Sequence, residues 1–99
     1  MIVRVWRATV LSTKEAEYDD FARQVSQPMF ERQEGFRGVL FARDGERCIV
    51  VTLWSDLRDL DSLAASQAYR DAVERITPLL GPDTTTEVYK GRGGTLPAL

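Results

Sequence analysis

Histidine is absent from the 99 residues. Its absence removes imidazole acid–base catalysis, every Ser-His-Asp or Cys-His device, and the commonest metal and haem ligand. Cysteine occurs once, as Cys48, so the chain can build neither an intrachain disulfide nor a cysteine-rich zinc site. No apolar run approaches the ~20 residues of a membrane-spanning helix, so no membrane partner is expected. Lysine is scarce: of 13 basic residues only Lys14 and Lys90 are lysine, and no basic stretch forms in a chain of net charge −2. A nucleic-acid footprint is basic and clustered, so no nucleic acid is expected either. Met1-Ile2-Val3-Arg4-Val5-Trp6-Arg7 alternates charge with bulk and lacks the apolar core of a signal peptide, which predicts a cytoplasmic protein. No metal and no cofactor is expected. The chemistry left to the chain is that of carboxylates, Arg, Tyr, Trp, Ser, Thr and the backbone.

The length predicts one small domain with a thin core, and 43% hydrophobic against 28% charged residues excludes a disordered or collagen-like chain. Residues 2–11 read as a strand, rich in Val, Ile, Trp and Thr. Ser12-Thr13-Lys14-Glu15 fits a capping box. Tyr18, Phe21, Ala22, Val25 and Met29 then mark one face of a helix, which Pro28 should kink or break near Ser26–Gln27 and Gly35 should end. Phe36 to Arg43 and Glu46 to Trp54 read as strands joined by an Asp44-Gly45 hairpin turn. The second arm does not alternate, as in a strand buried on both faces. Ser55-Asp56 can cap a helix whose buried face is Leu57, Leu60, Leu63 and Ala64. The phase slips near Ala65-Ser66, and Tyr69, Ala72, Val73 and Ile76 set a second stripe that Ser66 can cap. Thr84 to Tyr89 reads as a last short strand.

The order β-α-β-β-α-β predicts an α+β, ferredoxin-like domain over residues 1–90: a four-stranded antiparallel sheet with two helical regions on one face. Nothing remains to cover the other face, although the third strand looks buried on both sides. A second copy of the chain, sheet face against sheet face, solves that, so a homodimeric α/β barrel is expected. Residues 91–99, with three glycines and a proline, read as a loose end or one packed on the partner.

Several local features carry a family resemblance. Met1 to Arg7 is similar to a first strand, Glu34-Gly35-Phe36-Arg37-Gly38 to the entry of a second, Thr52-Leu53-Trp54-Ser55 to a strand end, and Leu63 to Arg70 to a helix segment of one family. Over residues 1–90 the chain resembles the antibiotic biosynthesis monooxygenase domain family of the dimeric α/β-barrel superfamily. The resemblance implies a dimer with a cavity between each sheet and its helices. It implies a cofactor-independent monooxygenase, or a related cyclase or isomerase, acting on a small aromatic or polyketide-like compound. The alternative is a non-catalytic homodimer of the same fold that binds a small apolar or aromatic ligand, or a stress-related protein. The haem-degrading relatives use an Asn on the first strand and a Trp and a haem-ligating His on the second helix. The matching positions hold Ala8 or a neighbour, Leu63 and Val73, so haem degradation is not expected.

The candidate site residues follow. Arg4 and Trp6 share one face of the first strand and Arg7 points to the other with Val3 and Val5. An arginine at a buried surface either binds an anionic or enolate oxygen in a cavity or forms an ion pair, with Glu46, Glu87 or Asp56 as partners. Trp54 ends the third strand and either stacks on an aromatic substrate or packs in the core with one hydrogen bond. Tyr69 either points its hydroxyl into the cavity, orienting substrate or relaying a proton, or is simple core. Arg7, Trp54 and Tyr69 are thus catalytic candidates, and Arg4, Trp6, Trp54 and Tyr69 binding candidates. Cys48 reads as a small buried hydrophobe, and Glu15, Glu17, Asp19 and Asp20 as a solvated first helical turn.

Overall fold

Ile2–Thr9 (β1) lies inside a four-stranded antiparallel sheet of order β2-β3-β1-β4, with Phe36–Asp44 (β2), Arg47–Trp54 (β3) and Thr85–Lys90 (β4). The computed structural model describes residues 1–96. One helical region runs from Glu15–Phe21 (α1) through a π turn, Ala22–Ser26, into Gln27–Glu31 (α2). The other is Arg58–Ala65 (α3) and Gln67–Ile76 (α4). Both helical regions cover one sheet face, so the chain has the ferredoxin-like α+β fold that its element order predicts.

Strand alternation sorts the sheet. Ile2, Arg4 and Ala8 of β1 and Cys48, Val50, Thr52 and Trp54 of β3 are buried beneath the helices. Burial of β3 on both faces is not met within one chain: Ile49, Val51 and Leu53 point away from the helices and stay half-exposed. Trp54 is completely buried, edge-on to Phe30 and Phe36 at ring distances of 6.3 and 5.9 Å.

Three local readings are corrected. The hairpin turn is Gly45-Glu46 rather than Asp44-Gly45, because Asp44 pairs with Arg47. Of the turn residues Gly45 alone adopts positive φ (60°), and an Asp-Gly type I′ turn would have demanded it of Asp44 too. Ser12–Lys14 form a 3₁₀ turn without a side-chain cap, because Glu15 is drawn to Arg43 of β2. The capping box lies instead before α3, where Asp56 Oδ1 accepts from Arg58 N (3.1 Å) and Asp59 Oδ2 accepts from Asp56 N (2.9 Å). Gly35 makes room for it: a Cβ there would meet Asp59 Oδ2 at 1.9 Å. Finally, Pro28 does not break the first helix. The Gln27 N–H reaches back five residues to the Ala22 carbonyl, and the π turn absorbs the donor that proline lacks.

Helix α4 begins where the phase slip predicts. Ser66 has extended ψ (127°), its hydroxyl accepts from Tyr69 N at 3.3 Å, and Gln33 Nε2 donates to the same oxygen at 3.3 Å. This ties the end of the first helical region to the start of the last and sets the azimuth of Tyr69. Of the terminal segment 91–99, residues 97–99 lie outside the described residues. Gly91 N bonds Met1 O (2.8 Å), and Leu96 comes to lie beside Leu40, Val51 and Leu53 on the helix-free face.

Candidate functional site

Between the sheet and the helices lies a cavity of about 50 Å³. Arg4, Trp6, Phe41 and Val50 form its floor, with Phe21, Ser26 and Phe30 along one wall and Tyr69, Ala72 and Val73 along the other. The lining is aromatic and aliphatic except for Arg4 and the hydroxyls of Tyr18, Ser26 and Tyr69. Arg4 is only 8% exposed. Its Nη2 donates to Tyr69 Oη at 2.8 Å, and its guanidinium carbon stands 5.6 Å from the Tyr69 ring centre. None of Glu46, Glu87 and Asp56 reaches it, and among the described residues no carboxylate pairs with it.

That arrangement is unusual in energetic terms. Burying a guanidinium costs several kcal/mol unless charge and hydrogen bonds compensate. Here the compensation is one neutral phenol and a ring face, worth roughly 1–3 kcal/mol together. Among the described residues no side-chain nitrogen is both fully buried and without a partner, so the Arg4 donors that make no hydrogen bond keep some solvent access. The site is a cation held in an apolar pocket, ready for an oxygen that carries charge. Tyr69 accepts from Arg4, which leaves its own proton to donate elsewhere.

The structure brings Arg4, Trp6 and Tyr69 together in this cavity and puts the other two candidates elsewhere. Arg7 is on the opposite sheet face, half-exposed, with Nη1 2.5 Å from Glu87 Oε1. Trp54 lines no part of the cavity. Its indole N–H donates to Thr52 Oγ1 at 2.8 Å, and its ring backs Phe30, which does line it. Sequence reading missed Tyr18, Phe21, Ser26, Phe30 and Phe41. The spacing of Tyr18 and Phe21 marks a helix face, but not whether that face meets core or cavity.

Beside the cavity, burial pushes the Tyr18 phenol up, and the Cys48 thiol next to it adds to the effect. Burial likewise pushes the Cys48 thiol up, and its Sγ donates to the Ala8 carbonyl at 3.3 Å. Both stay protonated, so neither is a nucleophile or a base at neutral pH. Glu15 and Asp19 are not a solvated turn. Both converge on Arg43, whose Nε and Nη2 grip the Asp19 carboxylate at 2.9 and 2.7 Å. That grip holds the Asp19 carboxyl below the usual aspartate range. Among the described residues no group of three or more Cys, Asp or Glu could hold a metal, and no helix is long and apolar enough to cross a membrane.

Comparison with solved structures gives the same fold at low identity. A candidate antibiotic biosynthesis monooxygenase from Bordetella bronchiseptica superposes with a TM-score of 0.83 at 17% identity, covering 92% of this chain and 96% of that one. A variant of SnoaB, a cofactor-independent oxygenase from Streptomyces nogalater, gives 0.80 at 20%, covering 98% and 97%. A candidate antibiotic biosynthesis monooxygenase from Deinococcus radiodurans gives 0.81 at 14%, covering 100% and 99%. No curated protein sequence matches. The antibiotic biosynthesis monooxygenase family model matches residues 1–75, three quarters of the chain, and the chain belongs to that family.

Proposed function

We propose that the chain is a homodimeric, cofactor-independent oxygenase of a small aromatic or polyketide-like compound, with Arg4, Trp6 and Tyr69 as its site. The observation that carries the reading is the buried Arg4, with no carboxylate among the described residues, opening on an aromatic-lined cavity. The enolate or phenolate oxygen of a substrate sits against the guanidinium, which stabilises the negative charge in a water-poor space. Trp6 offers a face for the ring. The anion passes one electron to O₂, and the resulting carbon radical and superoxide join in a C–O bond. The hydroperoxide then loses water as its C–H and O–O bonds break. One methylene and one O₂ become one carbonyl and one water. The substrate enters already ionised, its proton left in solvent, and Tyr69 hands a proton to the peroxide oxygen and regains one from solvent. The family membership and the SnoaB likeness support the reaction class.

A homodimer is supported by the helix-free sheet face. Val3, Val5, Ile49, Val51 and Leu53 are half-buried there, and Leu40 is 48% exposed. Arg4 and Tyr69 sit on the other side of the sheet, so pairing of this face leaves the cavity intact.

A second reading, a non-catalytic ligand-binding homodimer, is favoured by one observation: among the described residues no Asp or Glu lines the cavity to act as a base. Oxygen consumption with a panel of anthrones and hydroquinones separates the two. The oxygenase consumes one O₂ per carbonyl formed, and Arg4→Met slows it by about 100-fold or more. Uptake that survives Arg4→Met unchanged removes Arg4 from the site. Tight binding of panel members without uptake establishes the second reading.

A further inference from the structure

The cavity holds one cation and no base, and its ligand must balance the first without the help of the second. Among the described residues Arg4 is the single charged side chain lining it, and no Asp, Glu or Lys joins it there. A ligand that had to be deprotonated inside would find only Tyr18, Ser26 and Tyr69, and Tyr18 is pushed up by burial. A ligand that enters already ionised needs no such step and meets a guanidinium whose remaining donors have no partner among the described residues. A planar fork of N–H donors matches a carboxylate better than a single oxygen.

Size narrows the class further. A cavity of ~150 Å³ accepts one benzene ring. At about 50 Å³ this one must already widen to take a single ring. A fused three-ring skeleton would demand several times more room, against a lining packed with Phe30, Phe41 and Val50. The wall that can give is α4, where Val73 is 42% exposed at the cavity margin.

Resting on the reading that this cavity is the ligand site, we infer that it takes a single-ring aromatic monocarboxylate, bound as the anion by Arg4. The ring lies among Trp6, Phe21 and Phe41. The carboxylate takes up the guanidinium donors that no described residue fills and supplies the countercharge that no described carboxylate provides.

Isothermal titration of the purified protein with benzoate, benzamide and anthracene-2-carboxylate tests this. Benzoate should bind at least about tenfold more tightly than benzamide, the worth of one charge-assisted contact. Anthracene-2-carboxylate should bind more weakly than benzoate. Arg4→Met should erase the preference for benzoate over benzamide. The wild-type comparison stands alone if that variant fails to fold. Equal binding of benzoate and benzamide, or tighter binding of the three-ring acid, overturns the inference. If that happens while oxygen uptake with neutral substrates is measured, the oxygenase reading survives without it. If benzoate binds as expected and no uptake is found with any substrate, the inference stands and the oxygenase reading falls.

Discussion

Arg4 and Trp54 both rise from the sheet toward the helices, and their surroundings give them opposite work. Trp54 is completely buried and satisfied, its N–H bound to Thr52 and its ring wedged between Phe30 and Phe36. Arg4 is nearly as buried yet carries donors that no described residue fills. Trp54→Phe removes a hydrogen bond and leaves the fully buried Thr52 hydroxyl without a partner, besides opening a void. It should lower stability by about 2–4 kcal/mol in urea unfolding, with ligand binding per folded molecule unchanged. A loss below about 0.5 kcal/mol would show that the indole is not held as described. From sequence both side chains are binding candidates, and Trp54 a catalytic candidate as well. Alternation put Arg4 and Trp6 on one face correctly. Which large side chain borders a void and which fills one depends on what the helices bring to it, and no local pattern carries that.

Among the elements, α1 is fastened to the edge strand β2 by Arg43, which grips Asp19 through two nitrogens and reaches Glu15 with the third. This grip explains why Glu15 does not cap its own helix. It also sets a pH dependence. The Asp19 carboxyl is lowered first by its Arg43 hydrogen bond, and the unfolded chain lacks that partner. A group whose folded-state pKa is depressed contributes stability above its unfolded pKa and loses it as pH falls through the folded one. Stability should therefore fall from about pH 4 downward. Arg43→Met should lower the urea midpoint at neutral pH and flatten that acid loss. Parallel acid losses in the two proteins would disprove the role. The π turn acts at the same scale: it carries the helix past Pro28 and turns Ser26 and Phe30 onto the cavity. Proline was legible as an interruption. Whether it breaks a helix or is absorbed by a wider turn depends on the packing of Met29 and Phe30, which are buried beneath it.

For the whole molecule, one sheet face is finished and the other is not. Val3, Val5, Ile49, Val51 and Leu53 form an apolar surface that the helices never reach. A homodimer through this face should have a solution mass near twice 11.2 kDa by light scattering. Val51→Glu should yield a monomer with the secondary structure retained, since the site faces away from the cavity. A wild-type monomer would leave the exposed face unexplained. The amino-acid sequence by itself determined the element order, the split of the second helical region at Ser66, the faces of β1 and the family, because strand alternation, helical spacing and caps act over a few residues. Only the tertiary structure decided that Arg4 meets Tyr69 across 65 positions, that Arg7 meets Glu87 on the far face, and that Trp54 is core. Those outcomes depend on strand order and helix docking, which join residues that no local spacing connects.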